Sequence, residues 1–291
     1  MTEPGLLLKG IGSFYEVLTE SGEVVTSKAR GVFRKEGLVP TVGDRVIIER
    51  KEQGYAQLNE ILQRRNLLVR PPVANVDQLL IVISASVPEP DWLLLDRMII
   101  SAKRTGVEPV PVLNKIDAAD KGIADRFRTE YHAFPTLIVS AETGEGLDAL
   151  RDRMRGKVSC FAGQSAVGKS SLLNALIPEL HLETGGLSKK TDRGRHTTRH
   201  AELWPYENGA VLDTPGFSMY ETACLEQDEL NACYPEFLHA FPCRFPGCMH
   251  ISEPDCGVKP LLKTGELTAQ RYERYCEIAK EYQIRRKHKY D

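Results

Sequence analysis

The stretch VSCFAGQSAVGKSSLLNAL, residues 158–176, decides the fold. Its apolar beginning predicts a buried strand over 158–162, and its end predicts a helix from Lys169 to about Leu176. Between them, GQSAVGKS fits the phosphate-loop pattern G-x-x-x-x-G-K-[S/T], with the strand and the helix that the pattern requires. Glycines let the main chain wrap closely, so that N–H groups and the helix N-terminus face the phosphates of a nucleotide. We expect the nucleotide to contact Gly163, Gln164, Ser165, Ala166, Val167, Gly168, Lys169, Ser170 and Ser171.

Two residues of this loop have predicted chemical roles. The Lys169 ammonium is expected to bridge the β- and γ-phosphates and to assist catalysis, and the Ser170 hydroxyl is expected to ligate Mg²⁺. A phosphate loop alone does not distinguish ATP from GTP. Other residues must make that choice.

The residues that read the base lie earlier in the chain. Asn114-Lys115-Ile116-Asp117 follows a predicted strand over 110–113. The Asp117 carboxylate can accept hydrogen bonds from N1–H and the exocyclic amine of guanine, a pair that adenine lacks. We expect Lys115 to cover one face of the base, Asn114 to tie this loop to the phosphate loop, and Ser140-Ala141, after the next strand, to offer an N–H to guanine O6. A four-residue motif also occurs by chance, but the Ser-Ala pair strengthens the interpretation.

A third motif, Asp213-Thr214-Pro215-Gly216, ends the apolar stretch AVLDT. Asp213 is expected to hold a Mg²⁺-bound water, and the Gly216 N–H is expected to bind the γ-phosphate and so to sense the nucleotide state. The same four residues also fit a type I turn. Their position, about 50 residues after the phosphate loop, favours the nucleotide role.

The order of these motifs is unusual. In an ordinary G domain the phosphate loop precedes the base motif, whereas here Asn114 and Ser140 precede Gly163. Cutting and rejoining a fold at neighbouring surface ends preserves its packing. The sequence therefore predicts a circularly permuted nucleotide-binding domain.

The hydrophobic pattern divides the chain into three stretches with different predicted secondary structure. Residues 1–66 contain short alternating strands, predicted over 14–18, 24–27, 46–50 and 57–62, and are expected to form a small OB-type β-barrel. Residues 67–221 alternate buried strands with amphipathic helices, as in a doubly wound α/β domain. Residues 222–291 are expected to form a helical domain, with helices over 227–234 and 268–287. The predicted fold class is thus multidomain α/β.

At this point the sequence resembles the circularly permuted RsgA/YjeQ family of bacterial GTPases that act in small ribosomal subunit biogenesis. The resemblance covers essentially the whole chain. It implies an OB barrel, a permuted G domain and a C-terminal zinc domain, acting with GTP and Mg²⁺ as a late maturation factor whose GTPase the small subunit stimulates. Arg199 departs from the usual run of threonines. The residues that carry the resemblance are 29–31, 42–46, 66–77, 114–117, 163–174, 194–198, 213–217 and the Cys/His segment.

The Cys/His segment predicts a metal site. Cys243, Cys248, His250 and Cys256 are separated by four, one and five residues, and Pro and Gly around them permit tight turns. Three thiolates and one imidazole suit one tetrahedral structural Zn²⁺, and the resemblance places zinc ligands at these four positions. The remaining cysteines, Cys160, Cys224, Cys233 and Cys276, are interpreted as packing residues.

The catalytic group is less defined. Ras-like enzymes orient the attacking water with a Gln after the third motif, but Phe217 stands there and cannot make a hydrogen bond. The resemblance suggests His196, in the switch loop 194–198, as the water-orienting residue; contact with RNA or ordering of the loop is the alternative. Thr198 is the expected switch ligand of Mg²⁺, with Thr197 as the alternative.

The bulk composition limits the possible partners. The net charge of −2 gives no global attraction to nucleic acid, so ribosomal RNA must be bound through local patches. Two candidates are residues Lys28, Arg30, Arg34 and Lys35 in the barrel and the run 285–289 at the C-terminus, although either could be a solvated surface. No apolar run spans a bilayer, so we expect a cytoplasmic protein without a membrane contact. We also expect a monomer. A nucleotide-gated RNA chaperone and an ATP-dependent enzyme are the alternatives, the latter disfavoured by Asp117.

Overall fold

We describe a computed structural model of the 291-residue chain. The structure describes residues 2–35, 37–51, 54–69, 71–182, 202–213 and 226–290, without the side chains of 34, 35, 213 and 286–290.

The N-terminal part is a closed five-stranded barrel, as predicted. Its strands are β1 (Thr2–Ile11), β2 (Phe14–Thr19), β3 (Val24–Ala29), β4 (Arg45–Glu49) and β5 (Ala56–Ile61), and a short helix α1 (Val32–Lys35) lies between β3 and β4. The order around the barrel is β1-β2-β3-β5-β4. Alternate residues fill its interior, and Leu7, Val17, Val46, Ile48 and Leu58 are fully buried. The first strand was not predicted, because its run Leu6-Leu7-Leu8 does not alternate.

A short hairpin joins the barrel to the next part of the chain. It consists of β6 (Leu67–Val69) and β7 (Pro72–Ala74). The Ala74 N–H donates to the Val42 carbonyl at 2.8 Å, and the Asn75 amide donates to the Gly43 carbonyl at 3.0 Å. A Cβ on Gly43 would lie 2.0 Å from the Ala74 carbonyl oxygen, so only glycine permits this close approach.

The central part is a six-stranded sheet with helices on both faces. Its elements are β8 (Gln78–Ser84), α2 (Trp92–Arg104), β9 (Glu108–Asn114), α3 (Ile123–Glu130), β10 (Leu137–Ile138), α4 (Leu147–Met154), β11 (Val158–Ala162), α5 (Lys169–Leu176), β12 (Trp204–Tyr206) and β13 (Gly209–Asp213). The strand order is β10-β9-β8-β11-β13-β12, with only β12 antiparallel to its neighbour. The predicted doubly wound architecture is therefore present.

Burial of β8 on both faces explains its continuous apolar sequence. Leu79, Ile81 and Ile83 pack in one cluster with α2 and α3, whereas Leu80 and Val82 pack in another with α4 and α5. Asp91 caps the start of α2, since its carboxylate accepts the Leu94 N–H at 2.9 Å. Helix α4 was not predicted.

The C-terminal part is helical. It contains α6 (Gln227–Asn231), a 3₁₀ turn (Pro235–His239), α7 (Leu261–Thr264) and the long α8 (Ala269–Tyr290). The helix predicted over 227–234 is shorter than expected, because Pro235 begins the separate 3₁₀ turn. The boundary predicted between 221 and 222 lies outside the described residues.

A buried ionic cluster fastens this helical part to the sheet domain. Asp96 of α2 accepts hydrogen bonds from Arg271 and Arg274 of α8, the latter at 2.6 Å, and from the Tyr131 hydroxyl at 2.7 Å. Arg274 also donates to Glu130 of α3 at 2.6 Å. Each acidic group thus has an opposite charge within contact distance, as buried ions require. Arg271 extends the cluster to Glu236 and stacks between the rings of Tyr131 and Tyr234.

The charges of this cluster control the protonation of its members. Burial by itself would lower the pKa of Arg271, but the carboxylates of Asp96 and Glu236 raise it above its ordinary value. Burial and the Asp96 carboxylate raise the pKa of the Tyr131 hydroxyl. The arginines are therefore charged and Tyr131 is neutral.

Candidate nucleotide site and metal centre

The phosphate loop lies between β11 and α5, at the carboxyl ends of the parallel strands. Gly163 and Gly168 have φ of 136° and 97°, and Ala166 has a φ of 65°. A Cβ on Gly163 would lie 2.1 Å from the Val82 carbonyl oxygen, which explains the first glycine of the motif. Among the described residues, no acceptor takes a hydrogen bond from the N–H of Ser165, Ala166, Val167 or Gly168. These donors can bind the oxygens of a polyphosphate.

Lys169 begins α5 inside this loop. Its ammonium donates to the carbonyls of Gly163 at 2.9 Å and Gln164 at 2.6 Å. The cation is thus held at the mouth of the loop, beside Ser170 and Ser171, which are half-buried on the first turn of the helix. A cation and a helix N-terminus at the same place favour an anionic ligand.

The predicted base-reading loop touches the phosphate loop directly. The Asn114 amide donates to the Val167 carbonyl at 2.9 Å and accepts the Ala141 N–H at 3.3 Å. The Lys115 ammonium donates to the Ala166 carbonyl at 2.8 Å and to the carbonyl of Val87. The two motifs, which are distant in sequence, therefore form one continuous wall.

Asp117 lies exposed at the open end of this wall. Its carboxylate accepts a hydrogen bond from the Ser140 hydroxyl, which in turn accepts the N–H groups of Glu142 at 3.2 Å and Thr143 at 3.0 Å. These contacts orient the carboxylate while leaving it accessible. A planar base with two adjacent donors fits this arrangement.

The third motif is described only in part. Strand β13 ends at Asp213, which pairs with Phe161 of β11, so its main chain lies beside the start of the phosphate loop. Thr214–Gly216 and Phe217 lie outside the described residues, as do His196, Thr197 and Thr198. Their predicted roles rest on the sequence.

The four predicted metal ligands meet in the C-terminal part. The ligand atoms of Cys243, Cys248, His250 and Cys256 all lie within 4.8 Å of one another. His250 Nδ1 is 3.4 Å from the sulfurs of both Cys243 and Cys256. Ligands of tetrahedral Zn²⁺ are separated by about 3.5–3.8 Å, so the donor set and its spacing fit one such ion. Burial raises the pKa of the Cys248 thiol to about 12.

Further groups hold these ligands in place. The Gly257 N–H donates to the Cys243 sulfur at 3.2 Å, and the Tyr272 hydroxyl donates to the His250 carbonyl. The Asn231 amide lies 3.0 Å from His250 Nε2, the ring nitrogen that faces away from the thiols. The oxygen of the same amide accepts hydrogen bonds from the Gln227 side chain at 2.8 Å and from the Tyr275 hydroxyl at 2.9 Å, so the orientation of Asn231 against the imidazole is fixed by its neighbours. Sequence spacing did not reveal Asn231, because it lies on α6.

The barrel carries a surface that the sequence did not fully reveal. The exposed rings of Phe14 and Tyr55 pack edge to face with centroids 5.9 Å apart, and the Lys28 ammonium lies 5.7 Å and 6.0 Å from them. Lys28 and Arg30 were predicted as RNA contacts and are exposed; the side chains of Arg34 and Lys35 are not described. Phe14 begins β2 and Tyr55 precedes β5, at the two loops through which OB folds bind oligonucleotides.

The fold and the two joined loops define a circularly permuted P-loop GTPase, in which the base-reading loop precedes the phosphate loop. Residues 61–223 match the model of the RsgA GTPase family, and residues 4–57 match the RsgA N-terminal domain. The chain belongs to the RsgA GTPase family.

Curated relatives and solved structures agree with this membership. The small ribosomal subunit biogenesis GTPase RsgA of Geobacillus thermodenitrificans is 44% identical over 97% of this chain and 98% of its own. The protein of the same name from Caldanaerobacter subterraneus is 42% identical over 98% of both chains. The crystal structure of YjeQ from Thermotoga maritima superposes with a TM-score of 0.84 at 35% identity, covering 97% of this chain and 99% of that one. YloQ, described as a circularly permuted GTPase, gives 0.82 at 34% identity, covering 98% and 96%.

None of the helices in the described ranges is long and apolar enough to cross a membrane.

Proposed function

We propose that this GTPase binds the small ribosomal subunit during its late maturation and that GTP hydrolysis times its release. The observation that carries the proposal is the direct contact of Asn114 and Lys115 with the phosphate loop, in a chain whose relatives are named small ribosomal subunit biogenesis GTPases. That contact provides a guanine-reading and a triphosphate-binding surface in one site.

The proposed nucleotide roles follow the sequence motifs, and the described contacts of Asn114, Asp117 and Lys169 support those of the two loops. Asp117 accepts from the guanine N1–H and amine, and Lys115 covers the base. The Ala141 N–H, which donates to the Asn114 amide oxygen at 3.3 Å, is the proposed donor to guanine O6 as well. The N–H groups of the phosphate loop and Lys169 bind the phosphates. Ser170 ligates Mg²⁺, and Asp213 holds one of its waters. Thr198 is the proposed second switch ligand, and Gly216 binds the γ-phosphate.

His196 is the proposed water-orienting residue. Phe217 lacks a polar group, so intrinsic turnover is slow and the imidazole acts when the subunit is bound. This assignment rests on the sequence and on the family resemblance.

Zinc is the proposed occupant of the Cys243–Cys248–His250–Cys256 cluster. Four protein ligands leave no open position for chemistry, so the ion has a structural role. The barrel surface formed by Phe14, Lys28 and Tyr55 is the proposed contact with ribosomal RNA, because aromatic rings stack on unpaired bases and a cation binds phosphate. We further propose a cytoplasmic monomer with domain boundaries at 66/67 and 221/222.

The test compares GTP turnover alone with turnover in the presence of purified small or large subunits. We expect stimulation by the small subunit only, and tighter subunit binding with a non-hydrolysable GTP analogue than with GDP. Tight binding without stimulation would favour the alternative of a nucleotide-gated RNA chaperone. The proposal would be refuted if the small subunit neither bound the protein nor stimulated its GTP turnover.

A further inference from the structure

A β-bulge in the first barrel strand creates a contact with the nucleotide-binding sheet. Along β1, Leu7 pairs with Val17 and Lys9 pairs with Glu16 of β2, so that Leu8 is skipped in the register. A bulged residue does not use its main-chain groups in the regular ladder. The Leu8 carbonyl instead accepts the N–H of Leu203 at 2.9 Å.

Two side-chain contacts reinforce this main-chain bond. The Lys9 ammonium donates to the Glu202 carboxylate at 2.8 Å, with side chains 28% and 38% exposed. Leu203 is 1% exposed and belongs to the same apolar cluster as Leu7 and Leu8. A hydrogen bond, an ion pair and apolar packing thus join the barrel to residues 202 and 203.

These two residues occupy a critical position in the chain. Glu202 follows Thr198, the proposed switch ligand of Mg²⁺, by four residues. Leu203 immediately precedes β12, whose Trp204 pairs with Val211 of β13, and β13 leads to Asp213. The barrel therefore contacts the two residues that immediately precede β12, the antiparallel edge strand of the sheet.

We propose that the contact between β1 and residues 202–203 transmits RNA binding on the barrel to the GTPase switch, with Lys9 and Glu202 as positioning residues. This inference rests on the proposed function, since it presumes a subunit that stimulates hydrolysis. RNA bound at Phe14 and Tyr55 contacts β2 and β5, which pair with β1 and β4 in the closed barrel. A shift of β1 would be passed through Leu8 and Lys9 to Leu203 and Glu202, which they contact.

The test is a charge swap across this contact. Lys9→Glu and Glu202→Lys each place like charges together, and the double variant restores an ion pair with reversed polarity. Lys51→Glu is the matched control, because Lys51 pairs with Glu49 on the barrel surface without touching β12. The measurements are GTP turnover and KM without the subunit, turnover at saturating small subunit, and subunit Kd.

We expect each single variant to lower subunit-stimulated kcat by about fivefold, the upper range for such partly exposed pairs. Basal kcat and KM should change by less than about twofold, and the double variant should recover most of the stimulated rate. Lys51→Glu should behave like the wild type. A purely structural role would move thermal stability and basal turnover together, and would not give this split.

Three outcomes would count against the proposal. Wild-type stimulation in both single variants would overturn it, as would a double variant no better than either single one. Loss of subunit affinity in Lys9→Glu alone, with Glu202→Lys normal, would identify Lys9 as a direct RNA contact and also overturn it. If the wild type itself is not stimulated by the subunit, the proposed function fails instead, so the two failures are distinguishable.

Discussion

The side-chain amide of Asn114 donates to the main-chain carbonyl of Val167, 2.9 Å away. A Cβ added to Gly168 would lie 2.3 Å from the same amide nitrogen, and the φ of 97° is one that side chains rarely adopt, which explains the second glycine of the phosphate-loop pattern. One buried amide thus connects the loop that reads the base to the loop that binds the phosphates. In this permuted chain the Asn114 side chain joins the two loops that form the nucleotide site.

Substituting Asn114 tests that connection. Asn114→Ala leaves the Val167 carbonyl and the Ala141 N–H without their partner, and an unsatisfied buried group costs about 1–3 kcal/mol. We expect GTP affinity to fall about 10- to 100-fold, measured by titration with a fluorescent GTP analogue. Asn59→Ala, which removes a barrel amide bonded to Glu49, is the control and should bind GTP normally. Normal GTP binding by Asn114→Ala would contradict the role of this contact.

Base specificity is expected to depend on Asp117. Asp117→Asn replaces one acceptor by a donor, which suits the C2 carbonyl of xanthine and opposes the guanine amine. Because a hydrogen bond to a charged group contributes about 1.5–3 kcal/mol, GTP affinity should fall by about 100-fold while xanthosine triphosphate binding appears. Competition between the two nucleotides measures the change. Retained preference for GTP would show that another group reads the base.

The nucleotide site could be predicted from the sequence because its chemistry lies in short contiguous motifs. Lys169 and Asp117 occupy fixed positions within such motifs, and each motif follows an apolar strand. Since parallel strands end at one edge of a sheet, the motifs had to meet there whatever their order. The sequence predicts that Lys115 lies near the nucleotide. It does not predict that its ammonium donates to the carbonyls of Val87 and Ala166, because those contacts depend on the folded main chain.

His196 is the proposed water-orienting residue. His196→Ala should lower subunit-stimulated kcat by about 10²- to 10⁴-fold, the range for a lost general base, while leaving GTP affinity unchanged. Single-turnover hydrolysis with the bound subunit measures the effect. His132→Ala, which removes an exposed histidine after α3, should retain full stimulation. If His196→Ala hydrolyses GTP at the wild-type rate with the subunit bound, His196 is not catalytic. Its role is then to contact RNA or to order the loop.

Metal removal should affect the C-terminal part selectively. We expect one zinc ion per chain, lost on chelation together with the local fold, because the apolar cluster around Val258 and Leu261 contains Cys248 and Cys256. Cys256→Ser should lose zinc and Cys276→Ser should keep it, as measured by colorimetric zinc release. GTP affinity should be retained in both variants. Stoichiometric zinc in Cys256→Ser would exclude this ligand set.

The buried ionic cluster should dominate the stability of the interface between the sheet domain and α8. Asp96→Ala leaves Arg271 and Arg274 without a shared carboxylate, and breaking such a buried pair costs about 3–5 kcal/mol. Thermal or urea unfolding measures the loss. Arg128→Met, which removes an exposed ion pair with Asp125, is the control and should leave the unfolding midpoint unchanged. Equal stability of Asp96→Ala and wild type would refute this account.

This cluster shows what the sequence could not predict. Asp96, Glu130 and Arg274 lie on helices whose charged positions ordinarily face solvent, and they are far apart in the chain. Only the docking of α8 against α2 and α3 buries them together. The same reasoning applies to Phe14 and Tyr55, whose pairing requires closure of the barrel.

The strand order has a consequence for synthesis of the chain. β8, β9 and β10 leave the ribosome as a local unit, but the second edge of β8 pairs with β11, which follows much later. Until residue 162 emerges, β8 presents an unpaired apolar edge that could join other chains. In an ordinary G domain the phosphate-loop strand is made first, so this permuted order reverses which of the two paired strands waits for the other during synthesis.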